Sequence, residues 1–292
     1  MEKQVWTARE LWCQGLQWFE QVQDLDGEER IFELTQLWQN QFGDRPGNSL
    51  ESWNQTIPDQ QAQALREQIL QRAQGYPLQY LLGSWEFYGY EFLVGKGVLI
   101  PRPDTECLIE AVHSRAKSPK VIVDLCSGSG CIAITLAHLY SQAQVYAVEL
   151  SPQALEYLRR NVRLHHLEER VHVLAADART SLDVPRTDLL VSNPPYVTEE
   201  EMEHLQKEVQ FEPAMALQAP EEGLHFYRCF LEQCPVPLAE DALVAFEIGY
   251  QQGPQVRTLF EKNGYHSVEV LQDYGGRDRV VLGWREAQKD GV

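Results

Sequence analysis

The chain has 292 residues, enough for one large domain or two ordinary ones. Hydrophobic residues make up 43%, which supports a packed core, and the formal net charge is -18. So acidic a chain is poorly suited to gripping phosphates, so no direct nucleic-acid binding is expected; the balance fits a small-molecule enzyme or one with a basic partner.

The first 75 residues read as helical. Thr7 and Glu10 have capping-box spacing. Ile31, Leu34 and Trp38 recur at helical spacing, as do Ala62, Leu65, Ile69 and Ala73. Pro58 suits the first turn of that last helix. Residues 1–75 are therefore expected to form a small helical domain. Composition alone does not choose between a plain bundle and a substrate-recognition domain. Met1-Glu2-Lys3-Gln4 is not an apolar signal segment, and no stretch nears the roughly 18 apolar residues of a membrane span. A cytoplasmic protein without a membrane partner is expected.

Gly75-Tyr76-Pro77 ends the helical part. Residues 84–100 are aromatic and β-branched with glycine punctuation, and read as a hairpin within a linker over 76–103. Pro101-Arg102-Pro103 stops it, and Asp104 can cap the next helix.

Over residues 104–292 strands and helices alternate. Strands are expected at 121–123, 144–149, 171–175, 188–192, 242–248, 266–271 and 279–284. Helices are expected over 130–140 and from Ser151-Pro152 onward. Such alternation predicts an α/β fold, a mostly parallel sheet with helices on both faces. Only Gln272 to Asp278 joins the last two strands, too short for a parallel crossover, so they form an antiparallel hairpin. That ending is the pattern of class I methyltransferases, a Rossmann-like seven-stranded sheet.

Val123-Asp124-Leu125-Cys126-Ser127-Gly128-Ser129-Gly130 follows a strand and opens a helix. Glycine lets the backbone turn tightly and a ligand approach it. Gly128, Gly130 and Ala133 also fit G-x-G-x-x-A, so a dinucleotide-binding fold is a rival. Glu149 ends the second strand, where a carboxylate can accept both ribose hydroxyls of either cofactor. Asp177, after the third strand, can hold an adenine amino group. The six cysteines include Cys126/Cys131 and Cys229/Cys234 at equal spacing. Zinc pairs sit closer, on turns built for the metal, so reduced thiols and no metal site are expected.

Asn193-Pro194-Pro195-Tyr196 ends the fourth strand, and ligands in open α/β sheets bind at such strand ends. The prolines stiffen the turn and remove two donors. The Asn193 side-chain oxygen and the Pro194 carbonyl remain as acceptors, with Tyr196 as an aromatic neighbour. Two fixed acceptors suit a planar NH2 group, whose lone pair they aim at an incoming methyl; Tyr196 can stack on it. A dehydrogenase has no need of this turn, which tips the cofactor toward S-adenosylmethionine. The catalytic set is then Asn193, Pro194 and Tyr196.

From about residue 75 to 284 the chain resembles the release factor glutamine methyltransferases, the HemK/PrmC family. The resemblance rests on Pro77–Gly83, Glu86–Gly89, Ile100-Pro101-Arg102-Pro103-Asp104-Thr105-Glu106, the glycine loop, Asn193–Tyr196, Phe211-Glu212-Pro213, Glu247-Ile248-Gly249 and Asp273-Tyr274. It implies methylation of the glutamine in the Gly-Gly-Gln motif of peptide-chain release factors. It also implies cofactor contacts at Cys126, Ser127, Gly128, Ser129, Gly130, Glu149, Ala178 and Asn193, and substrate contacts at Asn193, Pro194, Pro195 and Tyr196. Cys126 stands where the family often has Gly, and Ala178 where some members place an aromatic over the adenine. Alternatives are a ribosomal-protein glutamine methyltransferase, an adenine-N6 nucleic-acid methyltransferase, and a non-enzymatic nucleotide-binding module docking on the translation machinery. Between Val197 and Gly223 stand eight glutamates (199, 200, 201, 203, 208, 212, 221 and 222) with Lys207 the only Lys or Arg. They read either as a solvated acidic face or as a rim that attracts a basic partner.

Overall fold

The computed structural model describes residues 6–22, 25–44, 47 and 49–286. It divides into two compact units, one reaching to Ser84 and including Gln206–Phe211, the other comprising Trp85–Leu205 and Glu212–Val292.

The first unit holds β1 (Trp6–Thr7), α1 (Ala8–Phe19), α2 (Gly27–Phe42), α3 (Leu50–Trp53), β2 (Thr56–Ile57), α4 (Asp59–Ala73) and α5 (Leu78–Leu82). The Thr7–Glu10 capping box forms: Glu10 N–H donates to Thr7 Oγ1 at 3.3 Å and Thr7 N–H to Glu10 Oε2 at 2.9 Å. Leu11, Leu34, Leu37, Trp38, Leu65 and Ile69 make the core. Three expectations are corrected. Ile31 is exposed, because the buried stripe of α2 starts at Leu34 and Glu33 turns inward instead. Pro58 precedes α4 as its extended N-cap, since Asp59 opens the helix. The unit also runs past residue 75, because Leu78 of α5 is buried in its core.

Glu33 is buried because Arg72 of α4 meets it with two parallel bonds, Nε to Oε2 at 2.7 Å and Nη2 to Oε1 at 3.0 Å. The third face of the guanidinium donates to Glu208 at 2.9 Å. That bond, with the Phe211 ring edge-on to Tyr76 at 5.3 Å, ties Gln206–Phe211 into the helical unit.

A hairpin follows, β3 (Ser84–Phe87) and β4 (Tyr90–Leu93), which from Trp85 onward belongs to the second unit. Tyr88 and Gly89 both have positive φ, the turn a two-residue hairpin favours. The strands end at Leu93, short of residue 100. Beyond them the backbone runs against the helix that carries Gln153 and Tyr157: a Cβ on Gly95 would lie 2.2 Å from the Tyr157 hydroxyl, and one on Gly97 2.8 Å from Gln153.

There follow α6 (Pro103–His113), β5 (Val121–Leu125), α7 (Cys131–Leu139), β6 (Gln144–Glu149), α8 (Pro152–Leu164), β7 (Val171–Ala175), β8 (Thr187–Ser192), α9 (Glu199–Met202), α10 (His225–Arg228), β9 (Leu238–Glu247), α11 (Gly253–Lys262), β10 (Tyr265–Gln272) and β11 (Asp278–Arg285). Asp104 does not cap α6. Pro103 opens the helix, leaving Arg102 as N-cap, and Asp104 in the first turn pairs with Arg279 at 3.2 Å.

The seven-stranded sheet has the order β10-β11-β9-β8-β5-β6-β7. β9, β8, β5, β6 and β7 are mutually parallel, while β11 runs antiparallel to both β9 and β10. This is the sheet expected from the sequence. The chain moves outward from β5 to β6 and β7, then returns to place β8 on the other side of β5. Between β5 and β8 the strand order reverses, and a crevice opens at their carboxyl ends.

Arg72→Met leaves Glu33 a buried, unpaired carboxylate and should destabilise the helical unit by roughly 3 kcal/mol. Tryptophan emission during urea unfolding should show it, since five of the seven tryptophans lie between Trp6 and Trp53. Gly130→Ala should cost roughly 2–4 kcal/mol in urea unfolding of the second unit. Its φ is +85° and the new Cβ would lie 2.4 Å from Leu158 Cδ1.

Candidate active site

Leu125 pairs in parallel register with Ser192, so the loops that leave β5 and β8 start side by side. The Ser192 hydroxyl donates to the Leu125 carbonyl at 2.6 Å and locks the two strand ends together. Cys126 and Asn193, the next residue in each strand's path, both face one cavity of about 320 Å3.

The glycine loop is held from beneath and behind. Ser127 N–H donates to the Val148 carbonyl, and its hydroxyl to the Asp124 carbonyl at 2.9 Å. Asn161 of α8 is fully buried. Its Nδ2 donates to the carbonyls of Ser129 and Leu93, and its Oδ1 accepts from Leu93 N–H, so one amide fastens the loop to the hairpin. Cys126 adopts a left-handed backbone, φ +61°, which a glycine would reach without strain. Burial pushes its thiol up, with the nearby Glu149 and Asp124 carboxylates adding to the shift. The Asp124 side chain is entirely buried and neither oxygen makes a hydrogen bond of ordinary geometry among the described residues. Burial raises its pKa to about 7, with the neighbouring Ser127 hydroxyl and Ala133 N–H offsetting only part of that cost.

Gly128 presents open space: a Cβ there would meet no atom within 4 Å. Its N–H donates to Glu149 Oε2 at 2.8 Å. Glu149 Oε1 accepts from Leu150 and Ser151 N–H at 2.8 and 2.7 Å. The carboxylate is thus oriented by three backbone donors, and Oε2 alone keeps an acceptor position for a ribose hydroxyl.

Asp177 lines the cavity with both oxygens already on Arg179, at 2.7 to 3.2 Å. Those hydrogen bonds pull its pKa down. An adenine amino group would have to share that carboxylate with the arginine. Ala178 lies on the wall and is buried, without a ring to offer. The aromatic surface comes instead from Phe226 of α10, which lines the cavity with the Arg179 guanidinium 5.9 Å from its ring centre.

At the second loop, Asn193 and Pro195 line the cavity, whereas Pro194 and Tyr196 do not. Asn193 Nδ2 donates to Thr105 Oγ1 at 3.2 Å, which turns Oδ1 away as an acceptor without a partner among the described residues. The Pro194 carbonyl accepts nothing among the described residues. The Tyr196 hydroxyl donates to Glu247 Oε1 at 3.3 Å, its N–H to the Leu217 carbonyl, and its carbonyl accepts from Gln252. The expected stacking face is therefore anchored at the rear of the turn. Burial pushes the Tyr196 phenol up.

Four residues without an expected role at the cavity complete the site: Thr105, Asn161, Phe226 and Glu212. Glu212 is buried, accepts from Ile100 N–H at 2.9 Å and pairs with Arg102, fixing the stretch that forms the cavity's outer wall. Each partner lies far away in sequence; Ile100 and Glu212 are 112 residues apart. The family motifs covering Thr105 and Glu212 were the available signal, but they did not assign either side chain a partner.

The eight glutamates do not form one face. Glu208 belongs to the helical unit, Glu212 is buried, and Glu221 pairs with His225 and Arg228. Glu199, Glu200, Glu221 and Glu222 line a second concavity, which shares Met215, Gln218 and Pro220 with the cavity wall.

Residues 103–219 match the methyltransferase small domain, and residues 28–83 the PrmC N-terminal domain. Among solved structures, a methyltransferase from Pyrococcus furiosus aligns with a TM-score of 0.52 at 16% identity, over 69% of this chain and 91% of that one. The catalytic domain of hMettl16, in complex with an RNA hairpin, aligns at 0.55 and 16% identity over 84% and 88%. These likenesses establish the fold. Release factor glutamine methyltransferases are nearer. That of Moorella thermoacetica is 42% identical over 75% of this chain and 79% of its own length. That of Escherichia coli K12 is 37% identical over 78% and 82%, and that of Aquifex aeolicus 36% over 78% and 82%. With identity of this degree over three quarters or more of its length, the chain belongs to the release factor glutamine methyltransferase family.

Proposed function

We propose that this chain transfers a methyl group from S-adenosyl-L-methionine to the side-chain amide nitrogen of the glutamine in the Gly-Gly-Gln motif of peptide-chain release factors, giving N5-methylglutamine. The observation that carries the reading is the Asn193 amide, turned by Thr105 so that its oxygen is an acceptor without a partner among the described residues, beside the glycine loop.

The residues present fit the cofactor. Gly128 leaves its face of the loop open, Glu149 keeps one acceptor position, and Phe226 supplies aromatic surface. Ser127, Ser129 and Gly130 shape the loop, with Cys126, Asp177 and Ala178 on the wall. The cofactor, when bound, supplies an electrophilic methyl on sulfonium. Everything else falls to the chain. An amide nitrogen is a weak nucleophile because its lone pair is delocalised. Asn193 Oδ1 takes one N–H at the cavity wall and the Pro194 carbonyl, which is not part of that wall, takes the other where the glutamine enters past the turn, so the nitrogen is held with its lone pair directed across the crevice. Positioning of this kind replaces a base before transfer. The nitrogen gives up its extra proton to solvent once the new N–C bond has formed. Pro195 stiffens the turn, and Tyr196, fastened to Glu247, keeps it from swinging outward.

The same acceptors would suit an adenine amino group. The net charge of -18 and the acidic concavity beside the cavity oppose a phosphate backbone and favour a basic protein loop. A release factor as partner places the reaction in the cytoplasm.

Incubation with a release factor and S-adenosylmethionine should add about 14 Da to the Gly-Gly-Gln peptide by mass spectrometry, one methylene equivalent. Asn193→Ala should lower kcat by roughly 100- to 1,000-fold, the usual cost of removing one oriented polar contact. A near-normal rate in that variant would sink the acceptor-pair reading. Affinity for the release factor should weaken as salt rises from about 0.05 to 0.5 M. Titration calorimetry at both ends of that range checks it, and a constant affinity would argue against acidic steering.

A further inference from the structure

Behind the Asn193 turn lies a buried carboxylate that the reaction does not directly use. Glu247 ends β9 and is almost completely shielded from solvent. One oxygen accepts from the Tyr196 hydroxyl at 3.3 Å; the other makes no hydrogen bond of ordinary geometry among the described residues. A carboxylate in such a place is costly unless neighbours stabilise it. Thr105 on α6, Arg279 on β11 and Tyr196 on the turn stabilise it, Asp104 on α6 opposes it, and Tyr227 on α10 and Cys131 on α7 also face it.

Thr105 stands between Glu247 and the site. It is buried, and its oxygen accepts the Asn193 Nδ2 proton at 3.2 Å. A hydroxyl has one proton to give, and no other acceptor for it is seen among the described residues. The Glu247 carboxylate, whose pKa the Thr105 hydroxyl draws down, is the group it can turn to.

We propose that Glu247 and Thr105 are positioning residues that set which end of the Asn193 amide faces the substrate. This rests on the reading that Asn193 Oδ1 accepts a substrate N–H. An ionised Glu247 can only accept, so Thr105 donates to it and keeps its lone pair for Asn193 Nδ2. The Asn193 oxygen then faces the cavity. A protonated Glu247 can donate to Thr105 instead. The Thr105 proton is then free to turn to Asn193 Oδ1, and the amide rotates to present its NH2. Two donors would then meet, the Asn193 NH2 and the substrate NH2, and the substrate nitrogen loses its orientation. No proton passes to or from the substrate through this chain; it transmits only hydrogen-bond direction.

Burial raises the Glu247 pKa to about 7, with Arg279, Thr105 and Tyr196 pulling it back and Asp104 adding to it. The ionised form therefore exists above that value, and the productive orientation is lost as pH falls through it. The amide being methylated does not titrate in this range, so it contributes no limb of its own.

The test compares the full chain with Thr105→Val, Thr105→Ser and Glu247→Gln, using a release factor and S-adenosylmethionine. Thr105→Val should lower kcat roughly 10- to 100-fold with a much smaller change in KM for S-adenosylmethionine, about threefold at most, since valine keeps the shape that Thr105 gives the cavity wall. Thr105→Ser should restore most of that rate. The wild-type kcat should fall on the acid side, and Glu247→Gln, at saturating S-adenosylmethionine, should be slower throughout and lose most of that limb; Asp124, beneath the cofactor loop and also raised to about 7, accounts for any shallow remainder. Wild-type kcat in Thr105→Val, or an acid limb in Glu247→Gln as deep as the wild-type one, would overturn the proposal. If Thr105→Val fails to fold, the pH profile of Glu247→Gln decides alone. An inactive Asn193→Ala beside a fully active Thr105→Val would reject this positioning role and leave the acceptor reading standing; an active Asn193→Ala would reject the acceptor reading itself.

Discussion

The parallel pairing of β5 with β8 is the constraint on which the rest of the molecule depends. Side chains alternate along a strand, so a slip of one residue would move every side chain to the opposite face. Ile122, Leu189 and Val191 on one face and Val123, Leu125 and Leu190 on the other are buried in two separate cores, and this fixes the register from both sides. Register in turn fixes where the two loops begin. The glycine loop and the Asn-Pro-Pro-Tyr turn are neighbours because two strands 67 residues apart in sequence end level with each other.

Around that crevice the chain uses buried polar side chains to hold backbone in place. Glu149 gathers three N–H groups, Asn161 ties Ser129 to Leu93, and Glu212 anchors Ile100. Each of these groups would be costly to bury alone, and each is satisfied by main chain that has no regular partner of its own. Asp124 is the exception. It lies beneath the loop without such partners, and its carboxyl is pushed toward neutrality as a result. The loops that shape the cavity thus lack secondary structure but not constraint.

Much of this was legible in the sequence. Strand and helix periodicity marked all seven strands of the sheet, and the length of the Gln272–Asp278 link alone required an antiparallel end. The two motif loops marked the crevice. What escaped was long-range and specific. Ile31 fits a helical stripe as well as Leu34 does, and only Arg72, 39 residues beyond Glu33, explains why the acid points inward. Asp104 has the sequence of a cap, but Pro103, one position earlier, starts the helix rather than ending the segment before it. Tyr196 promised a stacking face, but Glu247, 51 residues on, holds its hydroxyl behind the turn. Ala178 pointed to a bare cofactor wall, yet Phe226 reaches that wall from a different helix. Periodicity and turn chemistry report on neighbours within a few residues; side-chain partners across the fold leave no such trace.

Gln206–Phe211 gives the chain an unusual wiring. The polypeptide leaves the methyltransferase unit after Leu205, contributes six residues to the helical unit, and re-enters at Glu212. The boundary is therefore crossed three times. A cut between Ser84 and Trp85 would release two fragments, neither of them whole. The N-terminal piece would keep Glu33 and Arg72 but lose Glu208, while the C-terminal piece would carry Gln206–Phe211 without Arg72 and Tyr76, its partners in the helical unit. The two units are thus joined by three chain crossings rather than one linker.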